Sequence, residues 1–241
     1  MKIYSKIDKG VVRNSNQDAY FAGEISQDVT FAVVCDGMGG ANAGNVASGT
    51  AVKTISEYII KSYRNNMSAE DIAKMLKNAI ISANIEIYDM SSQNEHLSGM
   101  GTTVVAAVVR DGNAVIANVG DSRIYLVDDK LTQLTTDHSV VQTLIESGKI
   151  TPEDAKVHPR KNVITRALGA EEEVAVDISE CRLSEGDTLL LCTDGLTNFA
   201  TEEDILKTFK QNDISAVAEK LVELANNGGG GDNITAVTLT M

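Results

Sequence analysis

The segment FAVVCDGMGG, residues 31–40, joins five apolar residues to an aspartate and a run of glycines. The apolar part, residues 31–35, has the length of a fully buried strand. Glycines let the backbone turn tightly and approach a ligand closely. We therefore predict that Asp36 lies at the end of a buried strand, with its carboxylate in a site rather than in the core.

Three further aspartates that neighbour a glycine are candidates for the same site. Asp194 follows the apolar run 188–193 and precedes Gly195, while Asp121 and Asp232 each follow a glycine. A single Asp-Gly pair after a strand is most often only a turn. Four such aspartates spread along one chain predict a shared site in which their carboxylates converge.

The composition narrows the class of protein. The chain has 241 residues, 43% hydrophobic and 23% charged, which is typical of a soluble globular protein. Its net charge of −13 disfavours nucleic acid as a partner, because phosphate backbones select basic surfaces. The same acidity suits a site that collects cations.

The cysteines and the apolar runs predict the compartment. The three cysteines lack CxxC spacing, so we expect reduced thiols in a cytoplasmic protein. The first ten residues lack the apolar stretch of a signal peptide. The longest apolar run, 104–109, is too short to span a bilayer, so no membrane insertion is expected.

The apolar periodicity predicts strands and helices in separate blocks, an α+β fold rather than alternating βαβ units. The predicted strands are 2–7, 20–22, 31–35, 102–110, 114–119, 122–127, 174–178, 188–192 and 233–240, with 102–127 forming an antiparallel meander. The predicted helices are 45–63, one that starts at Ser68 with a capping box, 202–210 and 214–226. Segment 138–160 is polar and helical, and we expect a mobile flap near the site.

The candidate ligands all carry oxygen: Asp36, Asp121, Asp194 and Asp232. No histidine has zinc spacing, and oxygen ligands favour Mg²⁺ or Mn²⁺. Two such ions bridged by one carboxylate activate water and clamp a phosphoryl group. Arg13, in a polar loop, can bind phosphate through two hydrogen bonds. These residue types predict a metallophosphatase, but taken alone they leave open that Arg13 is a surface charge and that the Asp-Gly pairs are turns.

Eight motifs occur in order between residues 13 and 235. Through these motifs the chain resembles the type 2C, metal-dependent protein serine/threonine phosphatases (the PPM family), bacterial branch. The motifs are RNSNQD (13–18), VVCDGMGG (33–40), SGMGTT (98–103), ANVGDSR (117–123), LTTDHS (134–139), ITRALG (164–169), CTDGL (192–196) and GGGDNIT (229–235). This resemblance implies one catalytic domain over 1–241, folded as a four-layer α-β-β-α sandwich with two central antiparallel sheets and a flap at about 138–160.

The resemblance also implies roles for individual residues. Asp36 would bridge two Mn²⁺ or Mg²⁺ ions, Asp194 and Asp232 would complete the first ion, and the Gly37 carbonyl would help to bind the second. The implied reaction is in-line attack by a metal-activated water, without a phosphoenzyme. The substrates would be phosphoserine and phosphothreonine on proteins, with a bacterial serine/threonine kinase as the opposing enzyme.

Further roles follow from the same resemblance. Asp121 matches the position of a third, weaker ion, Asp18 would act through the metal's water shell, and Arg13 would bind the substrate phosphate. Met38 stands where many eukaryotic relatives have a histidine proposed as general acid. Methionine donates no proton, so His138 is a candidate acid, with a buried structural histidine as the alternative.

Two other functions stay open from the sequence. One is a phosphatase for small phosphate esters, and the other is a pseudophosphatase that only binds phosphoproteins. The pseudophosphatase predicts losses among the metal aspartates, yet all of them are present.

Overall fold

A computed structural model describes residues 1–40 and 43–241. Within these residues the strands form two antiparallel sheets. The first has the order β2-β3-β5-β6-β9, with β4 paired to β3: β2 (Asp18–Ser26), β3 (Val29–Met38), β4 (Gly101–Thr102), β5 (Val104–Arg110), β6 (Asn113–Val119) and β9 (Asp177–Arg182). The second has the order β1-β11-β10-β7-β8: β1 (Lys2–Asp8), β7 (Arg123–Val127), β8 (Leu131–Gln133), β10 (Thr188–Cys192) and β11 (Ile234–Thr240).

Helices cover the outer faces of both sheets, and two further helices lie in the segment between β8 and β9. They are α1 (Ala43–Ser62), α2 (Ala69–Gln93), α3 (Val140–Glu146), α4 (Pro152–Lys156), α5 (Asp194–Thr197), α6 (Glu202–Gln211) and α7 (Ile214–Asn227), with a 3₁₀ turn at Glu95–Leu97. Helices α1 and α2 pack on the first sheet, and α6 and α7 pack on the second. The predicted four-layer α-β-β-α sandwich is confirmed.

Strand β3 shows why its apolar run is continuous. Successive side chains of a strand point to opposite faces of the sheet. Val33 packs among the helices, while Val34 packs between the two sheets. Both faces of β3 are therefore shielded from water, and no side chain of the strand before Asp36 points to solvent.

Several local predictions are confirmed. Ser68 caps α2, accepting from the Asp71 amide at 3.1 Å while its own amide donates to the Asp71 carboxylate at 2.9 Å. Asp111 and Gly112 form the β5–β6 hairpin turn, both with positive φ, 52° and 73°. Positive φ at both central residues matches the twist of the flanking strands.

Other predicted boundaries are wrong. Strand β3 continues through Asp36 to Met38, because β2 pairs with it as far as Asp36 and β4 pairs with its last two residues. The predicted strand 174–178 is β9, which begins only at Asp177. The short helix α5 directly after β10 has no counterpart in the predicted elements.

The predicted meander 102–127 is also wrong. Strands β5 and β6 pair in the first sheet, but β7 pairs with β10 in the second. The chain crosses between sheets at Gly120, whose φ of 109° suits only glycine. A Cβ at Gly120 would lie 2.6 Å from the side chain of Thr103, the residue between β4 and β5, so the chain passes too close to Thr103 for a larger residue at the crossing.

The segment between β8 and β9 contains α3 and α4, in the predicted flap position. Its neck is a short ladder in which the Val140 amide donates to the Val163 carbonyl, and Thr165 donates to His138, each at 2.8 Å. None of the residues of α3 is buried. Across residues 1–40 and 43–241, no helix combines the length and apolar character needed to cross a membrane.

Candidate active site

Asp36 lies at one edge of the sandwich, held by its backbone. Its amide donates to the Thr103 hydroxyl at 3.0 Å, and its carbonyl accepts from the Thr102 hydroxyl at 2.8 Å. The antiparallel register places it directly opposite Asp18 on β2. The two carboxyl groups therefore belong to one site.

Asp18 connects the two sheets at this edge. Its Oδ2 accepts hydrogen bonds from the hydroxyls of Thr193 at 2.8 Å and Thr235 at 2.6 Å. Thr235 lies on β11 and Thr193 is the residue between β10 and α5, so both donors come from the second sheet and its extension. One carboxylate thus ties the strand that faces Asp36 to the segments that carry Asp194 and Asp232.

Asp194 begins α5, and a close backbone approach explains the glycine after it. Its Oδ2 accepts from the Asn198 side chain at 2.9 Å. A Cβ at Gly195 would lie only 1.9 Å from the Asn233 carbonyl oxygen. The Asp-Gly pair is therefore a contact between two loops of the site, and any larger residue would push Asp194 away from Asp232.

Asp232 faces the polar loop that carries Arg13. Its Oδ2 accepts from the Arg13 guanidinium at 2.7 Å, and the Arg13 side chain is half exposed. The neighbouring Asn233 fastens this loop: its Oδ1 accepts from the Gln17 amide, and its Nδ2 donates to the carbonyls of Lys9 and Ser15. Asn233 belongs to the motif GGGDNIT, but no local pattern in the sequence points to its contacts with this loop.

The carboxylates of this cluster repel one another. Burial raises the pKa of Asp36 well above its ordinary value, and the charges of Asp18, Asp194, Asp121 and Asp232 raise it further. Burial likewise raises the pKa of Asp18 to about 7, although the two threonine hydroxyls act in the opposite direction. Like charges that converge in a buried place favour a bound cation.

The donor set fits a hard divalent cation. Oδ1 of Asp18 and Oδ1 of Asp194 are buried and accept no hydrogen bond from the described residues. Unpaired buried carboxylate oxygens are costly, and Mg²⁺ or Mn²⁺ binds such oxygens. Within residues 1–40 and 43–241, however, no three His, Cys, Asp or Glu side chains lie close enough to enclose one ion. The carboxylates are therefore spread over a region larger than the coordination sphere of one ion.

Asp121 lies beside this cluster, just after the crossing at Gly120. Burial raises the pKa of Asp121 to about 7, and the charges of Asp194 and Asp137 contribute. Asp137 itself is held by Arg123, whose Nε and Nη2 donate to its carboxylate at 2.9 and 2.7 Å. Asp121 therefore faces Asp194, and no cationic side chain among the described residues forms an ion pair with it.

Gly37 and Met38 continue the strand beyond Asp36. A Cβ at Gly37 would lie 2.0 Å from the Gly44 carbonyl oxygen, so only glycine permits this contact with α1. Met38 pairs with Gly101, and a Cβ there would lie 2.7 Å from Met38 Cε. The Met38 side chain thus packs over Gly101 and brings no proton donor.

His138 has both ring nitrogens engaged. Its Nδ1 accepts from the Gly120 amide at 3.0 Å, which leaves the proton of a neutral ring on Nε2, 3.1 Å from the Asp177 carboxylate. Arg166 donates to the same carboxylate at 2.7 Å. The ring is buried between the flap neck and the sheet crossing, which are the contacts of a structural histidine. Its role as general acid stays a prediction that these contacts do not favour.

Comparison with known proteins agrees with this geometry. The family model described as Protein phosphatase 2C matches residues 6–224. The chain belongs to the protein phosphatase 2C family. It is 44% identical over 236 residues to the serine/threonine phosphatase stp of Listeria monocytogenes serotype 4b, an alignment covering 96% of this chain and 92% of that protein.

Solved structures of the protein phosphatase 2C family superpose over the whole chain. Serine/threonine phosphatase Stp1 from Staphylococcus aureus matches with a TM-score of 0.93 and 34% identity, covering 100% of this chain and 94% of that one. The catalytic domain of PstP, solved in complex with two manganese ions, matches with a TM-score of 0.85 and 33% identity, covering 98% and 96%. The predicted family, fold and enzyme class are confirmed, and the predicted dependence on Mn²⁺ or Mg²⁺ agrees with the family.

Proposed function

We propose that this protein is a metal-dependent phosphatase that hydrolyses phosphoserine and phosphothreonine in proteins. The observation that carries the proposal is the convergence of Asp36, Asp194, Asp232 and Asp121 beside Arg13 at one edge of the sandwich. Similarity to phosphatases over nearly the whole chain supports the same class of reaction. We further propose that residues 1–241 form one catalytic domain, with 138–160 as its flap.

The carboxylates are the proposed ion ligands. Asp36 would bridge two ions, with Asp194 and Asp232 drawn inward to complete the first and the Gly37 carbonyl on the second, while Asp121 would hold a third. Bound Mn²⁺ or Mg²⁺ activates the attacking water and offsets charge on the phosphoryl group. Asp18 is fixed by two threonine hydroxyls through Oδ2, so its free Oδ1 is positioned to orient water near Asp36.

Arg13 is the proposed phosphate ligand. Its guanidinium reaches Asp232 through Nη2, while its half-exposed side chain stays open to solvent. A guanidinium can bind two phosphate oxygens in parallel. Arg13 would therefore exchange part of its contact with Asp232 for the substrate phosphate, and would align that phosphate over the carboxylates.

The partners would be phosphoproteins produced by a serine/threonine kinase, in the cytoplasm. Cys35 and Cys192 are buried free thiols, which fits a reducing compartment. Detection of the chain in the cytosolic fraction would support the cytoplasmic location. An increase in protein phosphothreonine when its gene is deleted would support phosphoproteins as its substrates.

The direct test is phosphate release from a phosphothreonine peptide with Mn²⁺, with Mg²⁺, and with excess EDTA. We expect turnover with either ion and none with EDTA, because the carboxylates alone provide no activated water. Sugar phosphates serve as the comparison substrate. Full activity in EDTA would refute the metal dependence, and faster hydrolysis of sugar phosphates than of peptides would favour the small-ester enzyme.

A further inference from the structure

Thr103 lies between two parts of the carboxylate cluster. It is the residue between β4 and β5, and it is buried. Its hydroxyl accepts from the Asp36 amide at 3.0 Å and shares a second hydrogen bond, of 2.7 Å, with the buried hydroxyl of Ser122. Ser122 directly follows Asp121 in the chain. One buried hydroxyl therefore joins the residue proposed to bridge two ions to the segment proposed to hold the third.

The rest of the Thr103 side chain meets the residue before Asp121. A Cβ at Gly120 would lie 2.6 Å from both Cβ and Cγ2 of Thr103, so the Gly120 backbone packs closely against these atoms. On its other side, the Gly120 amide donates to His138 Nδ1, and the Gly120 carbonyl accepts from the His138 amide at 2.9 Å. Both neighbours of Asp121 in the chain are thus in contact with Thr103.

Asp36 and Asp121 differ in how much they depend on this hydroxyl. The Asp36 carbonyl also accepts from the Thr102 hydroxyl at 2.8 Å and from the Thr103 amide at 2.9 Å. Asp36 is paired with Asp18 in the ladder of β2 and β3 as well. Asp121, in contrast, lies between β6 and β7, outside both strands. Loss of the Thr103 hydroxyl should therefore displace Asp121 more than Asp36.

We propose that Thr103 is a positioning residue that fixes Asp121 relative to Asp36, and thereby sets the affinity of the third ion site. A hydroxyl bonded to a backbone amide on one side and to a second hydroxyl on the other holds the two groups at a fixed separation, and in a buried place water does not replace these bonds. Contacts of this kind behind metal ligands orient the ligands and tune the affinity of the site. The proposal rests on the proposed function and deepens it.

The test compares Thr103→Val with Thr103→Ser. Valine keeps the shape of the side chain and removes the hydroxyl, whereas serine keeps the hydroxyl. We expect Thr103→Val to raise the Mn²⁺ concentration for half-maximal hydrolysis of p-nitrophenyl phosphate by about tenfold, the size of effect that partners behind metal ligands have. Calorimetry should still count two tightly bound ions. Thr103→Ser should stay within about twofold of wild type in half-maximal Mn²⁺ concentration.

A double-mutant cycle identifies the residue through which Thr103 acts. At the Mn²⁺ concentration that half-activates wild type, a tenfold shift slows Thr103→Val about fivefold. In the Asp121→Ala background the same substitution should slow turnover by less than about twofold, because the group that it positions is already missing. Ser122→Ala breaks the link from the other side and leaves the Asp36 amide bonded to Thr103. It should resemble Thr103→Val, and it decides the question if Thr103→Val does not fold.

Thr188→Val is the matched control. The hydroxyls of Thr188 and Thr240 share a buried hydrogen bond of 2.8 Å, like those of Thr103 and Ser122. Thr188 begins β10, whereas the carboxylate cluster lies beyond the opposite end of that strand. Thr188→Val should lower the melting temperature in EDTA, as Thr103→Val does, because each leaves a buried hydroxyl without its partner. It should leave the Mn²⁺ dependence unchanged.

The outcomes separate this proposal from the proposed function. If Thr103→Val leaves the Mn²⁺ dependence unchanged, or if its effect adds in full to that of Asp121→Ala, Thr103 does not act through Asp121. Loss of the two tightly bound ions in Thr103→Val would place its action on Asp36 instead. An equal shift in Thr188→Val would reduce the effect to lost stability. If wild type shows no turnover that depends on Mn²⁺, the proposed function itself fails.

Discussion

The carboxylate cluster and the flap are built in opposite ways. Asp18 and Asp36 are carried by paired strands of the core, and buried threonines from both sheets bond to them. Helix α3 of the flap has no buried residue, and the segment joins the body through a short neck at His138–Thr165. Regions with few buried apolar contacts open at low free-energy cost. The difference teaches that the sandwich fixes the carboxylates in place, while few buried contacts hold the flap segment to the body.

The largest effect is expected from the cluster. Asp36→Asn should remove nearly all turnover, to below about a tenth of the wild-type rate at saturating Mn²⁺, because it removes the proposed bridging charge. Asp232→Asn should do the same. In chelator, Asp36→Asn should raise the melting temperature, because the neutral amide relieves the repulsion within the buried cluster.

Steady-state kinetics and thermal melting in EDTA measure these two effects. Asp154 is an exposed capping residue of the flap, outside the carboxylate cluster. Asp154→Asn is therefore the control, and it should leave turnover intact. Retention of more than a tenth of the rate by Asp36→Asn would show that this carboxylate is not a metal ligand.

Asp121 lies where the two regions meet, so it tests how far the cluster extends. Asp121→Ala should lower turnover by about tenfold or more while two ions still bind, because its proposed ion is the third. Calorimetry with Mn²⁺ gives the number of bound ions. Loss of all metal binding would instead place Asp121 among the ligands of the first two ions.

Arg13 tests whether the edge of the cluster contacts substrate. Arg13→Ala should raise KM for phosphopeptide by about tenfold and lower kcat less, since a phosphate contact acts in the ground state and the transition state alike. Arg13→Lys keeps the charge but loses the parallel pair of hydrogen bonds, so it should be intermediate. Unchanged KM and kcat in Arg13→Ala would make Arg13 a surface charge that pairs with Asp232 and does not bind substrate.

The sequence predicted the cluster better than it predicted the local structure that carries it. Asp36 and Asp194 follow similar apolar runs, yet Asp36 continues a strand and Asp194 begins a helix. The difference depends on contacts far along the chain: β2 pairs with β3 as far as Asp36 and β4 pairs with Gly37 and Met38, whereas the Asn233 backbone passes against Gly195. No local pattern encodes those contacts. The crossing of β7 to the second sheet was missed for the same reason, since neighbouring strands usually pair with one another.

Substitution of His138 should give the smallest effect on turnover. It tests whether the flap neck positions the carboxylate cluster. His138 joins the flap neck to Gly120, the residue before Asp121, through a hydrogen bond accepted by Nδ1. Asparagine keeps an acceptor near the Nδ1 position, whereas glutamine places its amide nearer to Nε2. If His138 positions Asp121, His138→Gln should slow a phosphothreonine peptide and p-nitrophenyl phosphate by a similar factor, about threefold to tenfold. His138→Asn should then stay close to wild type on both substrates.

A general acid at His138 predicts a different pattern, because an alkoxide leaving group needs a proton and a nitrophenolate does not. Both variants would then lose on the order of 10²-fold on the peptide and spare p-nitrophenyl phosphate. The buried ring, with Nδ1 on a backbone amide and Nε2 on Asp177, favours the first pattern. Rates measured across aryl and alkyl phosphates of graded leaving-group pKa complete the test. If the plot of log rate against leaving-group pKa becomes steeper by the same amount in both variants, His138 is the missing acid. If its slope is unchanged, water protonates the leaving group.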